Sequence, residues 1–397
     1  MILFGDVMED YEKAMSLIEK KLKELRNGVP TRKYDHTKPA EIEINQFWFE
    51  GETIDRIMVV LRSTGCSHYR LNHGCSMCGH FDGTTETPIT SDEYMTQWNS
   101  IVDGSAIEEH FDFDINRFRV LCLYNLGSFL NREEVPIEAM KGIFKSIASL
   151  PGIKKTIIES RAEYVTPESL RAIRDVNDGM IEVGIGLEST DDTIRGLCHH
   201  KNLPNIDVFS TAIQTLHDFD FRALAYVNQK PPFLTENEAI EDAVRTSIYA
   251  FEKGADAVSI EPTSLQAHSL TDYLHRMGLY RVPWLWSVIE VVKGIRKGVG
   301  ETDLRLGGYF DEEVLSGSQG SAPGADRNEI FPHETAGNCG YCDKRIVAAI
   351  KNYNKTYDAN ELYGETECEY CYPVWESAIK VVDSRSIPRR IIDALGD

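Results

Sequence analysis

Ile57-Met58-Val59-Val60-Leu61-Arg62-Ser63-Thr64-Gly65-Cys66 decides how the chain is read: an apolar, β-branched run of strand character that empties into a glycine turn and a cysteine. Cys75 and Cys78 follow, so the spacing is C-x8-C-x2-C. Three thiolates are one short of the four ligands that close a structural metal site, whereas a cluster held by three cysteines leaves one iron open to a small molecule. His68, His73 and His80 lie among these cysteines, and any one of them completes the alternative, a zinc knuckle.

Outward from this segment, strand, loop and helix repeat from about 54 to 310. The strand runs are 57–63, 120–126, 156–160, 181–187, 221–227 and 257–261. Helix starts are marked by Thr90 with Glu93, by Thr166-Pro167, and by Thr235 with Glu238. Six strands alternating with helices predict an α/β fold whose parallel sheet curls into a partial, TIM-like barrel of six β/α units. Chemistry in such barrels gathers at the carboxyl ends of the strands. Here those ends are polar: Asn125-Leu126-Gly127-Ser128, Glu159-Ser160-Arg161, Glu188-Ser189, Asn228-Gln229-Lys230 and Glu261-Pro262-Thr263. A lone carboxylate near a helix start is as readily a cap, but a whole rim of polar groups beside a cysteine loop is not explained by a binding knuckle.

Residues 7–26 carry helical periodicity and stop at Asn27-Gly28-Val29-Pro30, which makes 1–53 an N-terminal helical arm, 54–310 the barrel and 311–397 a cysteine-rich extension. Ser316 to Ala325 reads as a loop. Beyond it, Cys339-Gly340-Tyr341-Cys342 and Cys368-Glu369-Tyr370-Cys371 are two C-x2-C pairs separated by 25 residues. They predict one four-cysteine metal site, with zinc as the default occupant and an auxiliary iron-sulfur cluster as its rival.

The 397 residues, 42% of them hydrophobic, suffice for a sizeable core. Seven of nine cysteines fall into close groups, the habit of metal ligands in a reducing compartment; Cys122 and Cys198 read as ordinary buried or semi-buried thiols. No apolar stretch is long enough for a membrane span, and Met1-Ile2-Leu3-Phe4-Gly5-Asp6 has no basic start before an apolar core, so a cytoplasmic protein without membrane attachment is expected. The net charge of −21 is the wrong sign for gripping a phosphate backbone over a broad surface. Basic residues cluster only at Arg26/Arg32/Lys33/Lys38, His199/His200/Lys201 and Arg385/Arg389/Arg390.

Leu61 to Cys66 leading into Gly74 to Gly79, together with Gly127 to Asn131, Glu159-Ser160-Arg161, Gly184 to Ser189, Lys230 to Glu236, Glu261 to Thr263, Pro283 to Ser287 and the two C-x2-C pairs, resembles the radical S-adenosylmethionine (SAM) superfamily. Within it the resemblance, from about 54 to 380, is to the branch that includes the Elongator catalytic subunit and the radical SAM subunit of archaeosine synthase. The resemblance implies a [4Fe-4S] cluster on Cys66, Cys75 and Cys78, with SAM on its open iron and reductive cleavage to a 5′-deoxyadenosyl radical. It also implies SAM contacts from Gly127, Ser128, Glu159, Arg161 and Glu188, with Met77 standing where many members carry an aromatic residue against adenine. At its closest it implies a tRNA-modifying lyase that breaks the C–N bond of a lysine adduct of 7-cyano-7-deazaguanine in the D-loop of archaeal tRNA, leaving the formamidine of archaeosine. A separate lysine-transferring subunit would then supply most of the affinity for tRNA. The alternatives are another radical SAM enzyme acting on RNA and a non-enzymatic zinc or iron-sulfur protein.

Overall fold

In the computed structural model, residues 4–29, 33–107, 113–203, 205–309, 312–317, 334–363 and 367–396 are described. Nine strands form one sheet: β1 (Glu41–Phe49), β2 (Glu52–Val60), β3 (Val120–Tyr124), β4 (Lys155–Ser160), β5 (Met180–Gly186), β6 (Arg222–Gln229), β7 (Ala257–Pro262), β8 (Leu304–Leu306) and β9 (Glu312–Gly317). Their order is β8-β7-β6-β5-β4-β3-β2-β1-β9. From β2 to β8 every neighbour is parallel, while β1 is antiparallel to both β2 and β9. With β8 and β9 at its edges the sheet is an open, partial barrel.

The six expected strands are β2 to β7, with shifted ends. Residues 61–63 leave the first strand because the Arg62 amide is claimed by Gln97 Oε1 at 2.8 Å. The second stops at Tyr124, two residues before Leu126 turns to a positive φ of 59°. Three strands went unread. β8 is too short to show a period, β9 lies in the tail, and β1 falls in the stretch expected to belong to the helical arm. Alternation is present in β1, with Ile42 and Ile44 on one side, but Glu41, Glu43 and Asn45 fill the other and mask it. Of the glycine- and serine-rich stretch 316–325, Ser316 and Gly317 end β9 and the rest lies outside the described residues.

Helices Ser91–Val102, Ile137–Ala148, Pro167–Arg174, Asp207–Asp218, Glu236–Glu252 and Leu285–Val299 connect the strands and cover one face. They start where the capping residues predict: Thr90/Glu93 and Thr235/Glu238 are complete capping boxes, and Thr166 Oγ1 accepts from the Ser169 amide. Val59, Leu123, Ile158, Val183, Ala225 and Val258 point outward into this main core against Trp98, Phe144, Ile173 and Val288. Each of the valine, leucine, isoleucine and phenylalanine side chains contributes about 1.5–3 kcal/mol by its burial. Inward-facing positions carry a smaller cluster of Phe47, Phe49, Val120, Cys122 and Ile157.

Below that cluster Glu182, fully buried, accepts from Lys155 Nζ at 2.7 Å and from Arg305 Nη1 at 2.6 Å. Charge thus closes the amino-terminal end of the barrel, and the opposite end is left for chemistry. The N-terminal helix, Phe4–Asn27, packs Ala14, Ile18 and Leu22 against Leu270, Leu274 and Ile391.

Candidate functional site

The three-cysteine loop crosses the carboxyl end of the parallel strands. Gly65 (φ 69°) turns the chain, Cys66 caps the helix Ser67–Asn72, and His73 and Gly74, both left-handed, send it back toward Cys75 and Cys78. At Gly65 a side chain would also run into Thr84, so glycine is required twice over. Other elements hold the loop. The Ser76 amide donates to His199 O at 3.0 Å, and the Leu270 amide donates to Ser76 O at 2.8 Å. His200 Nδ1 lies 2.8 Å from Gly74 O, and the Gly79 amide donates to Gln266 Oε1. Arg26, arriving from the N-terminal helix, donates to the carbonyls of His73, Cys75 and Cys78.

Burial pushes the Cys75 thiol up to about 12, against the pull of Lys201 and Arg161; Cys66 and Cys78 are raised for the same reason. Thiolates here therefore require positive charge. The zinc-knuckle alternative fares poorly, because among the described residues none of His68, His73 and His80 converges with these cysteines as a ligand group, and His68 Nε2 is bonded to His200 O at 2.7 Å. Nor do Cys66, Cys75 and Cys78 converge tightly enough to share one ion; among the described residues only the C-terminal cysteines do. Three desolvated sulfurs too widely set for one ion, with cations beside them, fit a polynuclear cluster.

Gly127-Ser128 lies directly against the first cysteine. A Cβ on Gly127 would sit 2.9 Å from the Cys66 amide nitrogen and 2.2 Å from Glu134 Oε2. Glu134, buried, ties the two segments by accepting from the Ser67 amide at 2.8 Å, the Ser128 amide at 2.5 Å and Asn131 Nδ2 at 2.8 Å. The next strand end is stitched on by the Arg161 amide to Ser128 Oγ and the Phe129 amide to Glu159 O. Arg161 commits two guanidinium nitrogens, to Glu163 at 2.5 Å and Asn202 O at 2.7 Å. Glu188, with φ at 64°, pairs with Lys201 Nζ at 2.7 Å across Gly186, where a Cβ would lie 2.1 Å from that nitrogen. Met77 is half-buried in the cysteine loop.

Beneath this rim Tyr124, Glu159, Tyr226 and Glu261 point inward from β3, β4, β6 and β7, yet all four are only half-buried, so the barrel interior is a hollow that water reaches. Burial pushes the Glu159 carboxyl up to about 7, with Tyr226 hydrogen-bonding to it, Glu188 adding repulsion and Lys201 opposing. Glu261 rises to about 7 by burial and by repulsion from Glu159 and Glu188. Among the described residues neither carboxylate has an ion-pair partner.

The C-terminal cysteines form a second, compact site. Cys342 and Cys371 sulfurs are 3.5 Å apart, Cys339 and Cys342 3.8 Å, and Cys339 and Cys368 4.0 Å. A tetrahedron with metal–sulfur bonds of about 2.3 Å has edges of about 3.8 Å, so the spacing is that of a single ion. Asn338 Nδ2 donates to Cys342 Sγ at 3.5 Å, and Trp375 Nε1 donates to Ser287 Oγ at 2.9 Å, fastening the knuckles to the barrel helix Leu285–Val299.

No protein-family model matches the chain. It is 27% identical over 367 residues to archaeosine synthase subunit beta of Methanosarcina acetivorans, covering 92% of this chain and 97% of the relative. The protein of the same name from Thermococcus kodakarensis is 28% identical over 335 residues, covering 83% and 93%. This chain resembles the archaeosine synthase beta subunits. Among solved structures, methylornithine synthase overlaps 84% of this chain and 86% of its own at a TM-score of 0.43 and 10% identity.

Several residues of the site were invisible or misread in the sequence. Arg26 and His199/His200/Lys201 belong to basic clusters small enough in the sequence to be chance, yet all four are buried against the cysteine loop or the rim. Arg385, Arg389 and Arg390 are each paired with carboxylates: Arg385 with Asp383 and Asp393, Arg389 with Asp393, and Arg390 with Glu238. Glu134 carries no motif; its only signal is its place six residues after the Gly127-Ser128 turn. Cys122 and Cys198 are fully buried, as expected of plain thiols.

Proposed function

We propose that this chain is the radical SAM lyase subunit of an archaeosine synthase, breaking the C–N bond of the lysine adduct of 7-cyano-7-deazaguanine in tRNA. The observation that carries the reading is a pinned loop of three desolvated cysteines over the polar mouth of a parallel barrel, in a chain similar along 92% of its length to a protein named archaeosine synthase subunit beta. Cys66, Cys75 and Cys78 would hold a [4Fe-4S] cluster. When bound, that cluster supplies the electron that splits SAM and so yields a radical able to remove hydrogen from an unactivated carbon. The chain's own part is placement. Gly127 and Ser128 present close backbone to the methionine end of SAM, Glu159 and Glu188 accept from its hydroxyls, Arg161 adds charge near its carboxylate, and Met77 lies against its adenine. The hollow lined by Tyr124, Tyr226 and Glu261 receives the lysine-bearing base, which on binding displaces the water that otherwise reaches it.

Zinc is the proposed occupant of Cys339, Cys342, Cys368 and Cys371, as a structural brace. The proposed partner is a lysine-transferring subunit, since a net charge of −21 leaves the grip on tRNA phosphates to another chain. Among the described residues no helix is long and apolar enough to cross a membrane, and the proposed location is the cytoplasm.

The test is to incubate anaerobically reconstituted, reduced protein with SAM and tRNA bearing the lysine adduct, then to analyse its nucleosides by mass spectrometry. Archaeosine and 5′-deoxyadenosine appearing together support the assignment. SAM cleavage without archaeosine would move the reading to another radical SAM reaction, and no SAM cleavage at all would end it.

A further inference from the structure

We propose that Arg26 is a positioning residue for the three-cysteine loop, fixing its backbone and standing as the counter-charge to its sulfurs from outside the barrel. The inference rests on the reading of Cys66, Cys75 and Cys78 as cluster ligands. Arg26 lies in the last turn of the N-terminal helix, some forty residues before the first cysteine, and is 7% exposed. Its guanidinium spends its donors on backbone: Nε on His73 O at 3.1 Å, Nη2 on Cys75 O at 3.1 Å and Cys78 O at 3.0 Å, and Nη1 on His268 O. Three of those carbonyls belong to the cysteine loop, which has little regular structure of its own to satisfy them. The ring of Phe81, stacked in turn on Tyr69, lies 4.1 Å from the guanidinium carbon and fixes its plane.

The charge balance is the second observation. No carboxylate forms an ion pair with Arg26 among the described residues, although a buried cation without a counter-charge is costly. The groups facing it that can carry negative charge are the thiols of Cys78 and Cys75 and the Tyr69 hydroxyl, each of which burial keeps neutral in the absence of a cluster. The guanidinium is thus matched electrically when those sulfurs are thiolates on a cluster. Its anchor is firm, since Ala14, Ile18 and Leu22 of the same helix are fully buried against Leu270 and Leu274, and the Leu270 amide also holds Ser76 O. Helix and loop therefore share one support, and Arg26 is the strap between them.

Two variants separate geometry from charge. Arg26→Lys keeps the charge but has one compact ammonium for four carbonyls, while Arg26→Gln loses both. In the apo protein, hydrogen–deuterium exchange of segment 66–80 should rise several-fold in both variants. In reconstituted protein, iron loss to a chelator should quicken in both, and the cluster's midpoint potential should fall in Arg26→Gln but stay close to wild type in Arg26→Lys, because net charge beside a cluster sets its potential. Metal retained at Cys339, Cys342, Cys368 and Cys371 reports that the variants are folded. Wild-type exchange in both variants would overturn the strap, and an unchanged potential in Arg26→Gln would overturn the counter-charge. A wild-type protein that assembles no cluster would sink the functional reading and the counter-charge together, while the exchange measurement on apo protein still decides the strap.

Discussion

Replacing Gly127 by alanine is the smallest change that tests how the site is assembled. The new methyl would lie 2.2 Å from Glu134 Oε2, 2.9 Å from the Cys66 nitrogen and 3.0 Å from the Gly65 carbonyl carbon. Relaxed contacts between such atoms are about 3.5–4.0 Å. Two of the three obstacles are backbone of the cysteine loop itself, and the third is a carboxylate fixed by three hydrogen bonds. None of these three neighbours is the free end of a flexible side chain, so either Glu134 or Cys66 must move. Overpacking of this kind costs about 1–3 kcal/mol, and one buried amide that loses its acceptor adds about 1–3 kcal/mol, which makes roughly 2–6 kcal/mol in all. Urea unfolding of the apo protein measures the stability, and calorimetric titration of SAM into reconstituted protein measures the effect on the site. Gly142→Ala is the control. Its methyl would meet Met95 Sδ at 2.7 Å, a side chain able to swing away, and should cost less than about 1 kcal/mol. If Gly127→Ala unfolds like wild type, loads as much iron and binds SAM as tightly, then the turn does not abut Cys66 as described and the account of the rim is wrong.

Three further outcomes are expected. Glu182→Gln leaves Lys155 buried without a carboxylate and Arg305 with Asp303 alone, and should destabilise by about 3–5 kcal/mol in urea unfolding at pH 7. Burial alone would raise the Glu182 carboxyl, but Arg305 and Lys155 outweigh it and hold it well below the usual range, so its contribution is present above an unfolded value of about 4.3 and fades as pH falls; the gap to wild type should narrow at pH 3. Glu261→Gln should behave in the opposite sense. A carboxyl raised to about 7 by burial is penalised as it ionises, so the variant should gain in melting temperature relative to wild type between pH 5 and pH 8, and a gain that does not grow with pH would contradict the placement of Glu261. Cys368→Ser should release the C-terminal metal and alter the fluorescence around Trp375 while leaving the first cluster's spectrum intact; metal analysis that finds extra iron rather than about one zinc per chain would replace the single ion with an auxiliary cluster.

Much of this molecule is written locally. β2 to β7, the capping boxes at Thr90 and Thr235, and the two cysteine groups all depend on neighbours a few residues away, where hydrophobic period, side-chain caps and ligand spacing act directly on the backbone. The polar strand ends were legible for the same reason, since a parallel sheet delivers every strand's carboxyl end to one rim. β1 was hidden because its first inward positions hold Glu41, Glu43 and Asn45, which form a polar stretch of the barrel wall between Arg56 and the carboxyl end of β2, and only Phe47 and Phe49 beyond them are apolar.

Tertiary structure alone decided the rest. Charge in a sequence has no address: Arg26, Lys201 and Arg390 are alike members of small basic clusters, and only folding puts one on the cysteine carbonyls, one on Glu188 and one on Glu238. Glu134 and Gly127 matter through atoms more than sixty residues away in Gly65, Cys66 and Ser67. The raised carboxyls of Glu159 and Glu261 exist only because four strands bring their inward side chains into one hollow, where desolvation and mutual repulsion become large. Spacing along the chain sets which ligands are available, but the dielectric, the counter-charges and the reach of each side chain are properties of the packed fold.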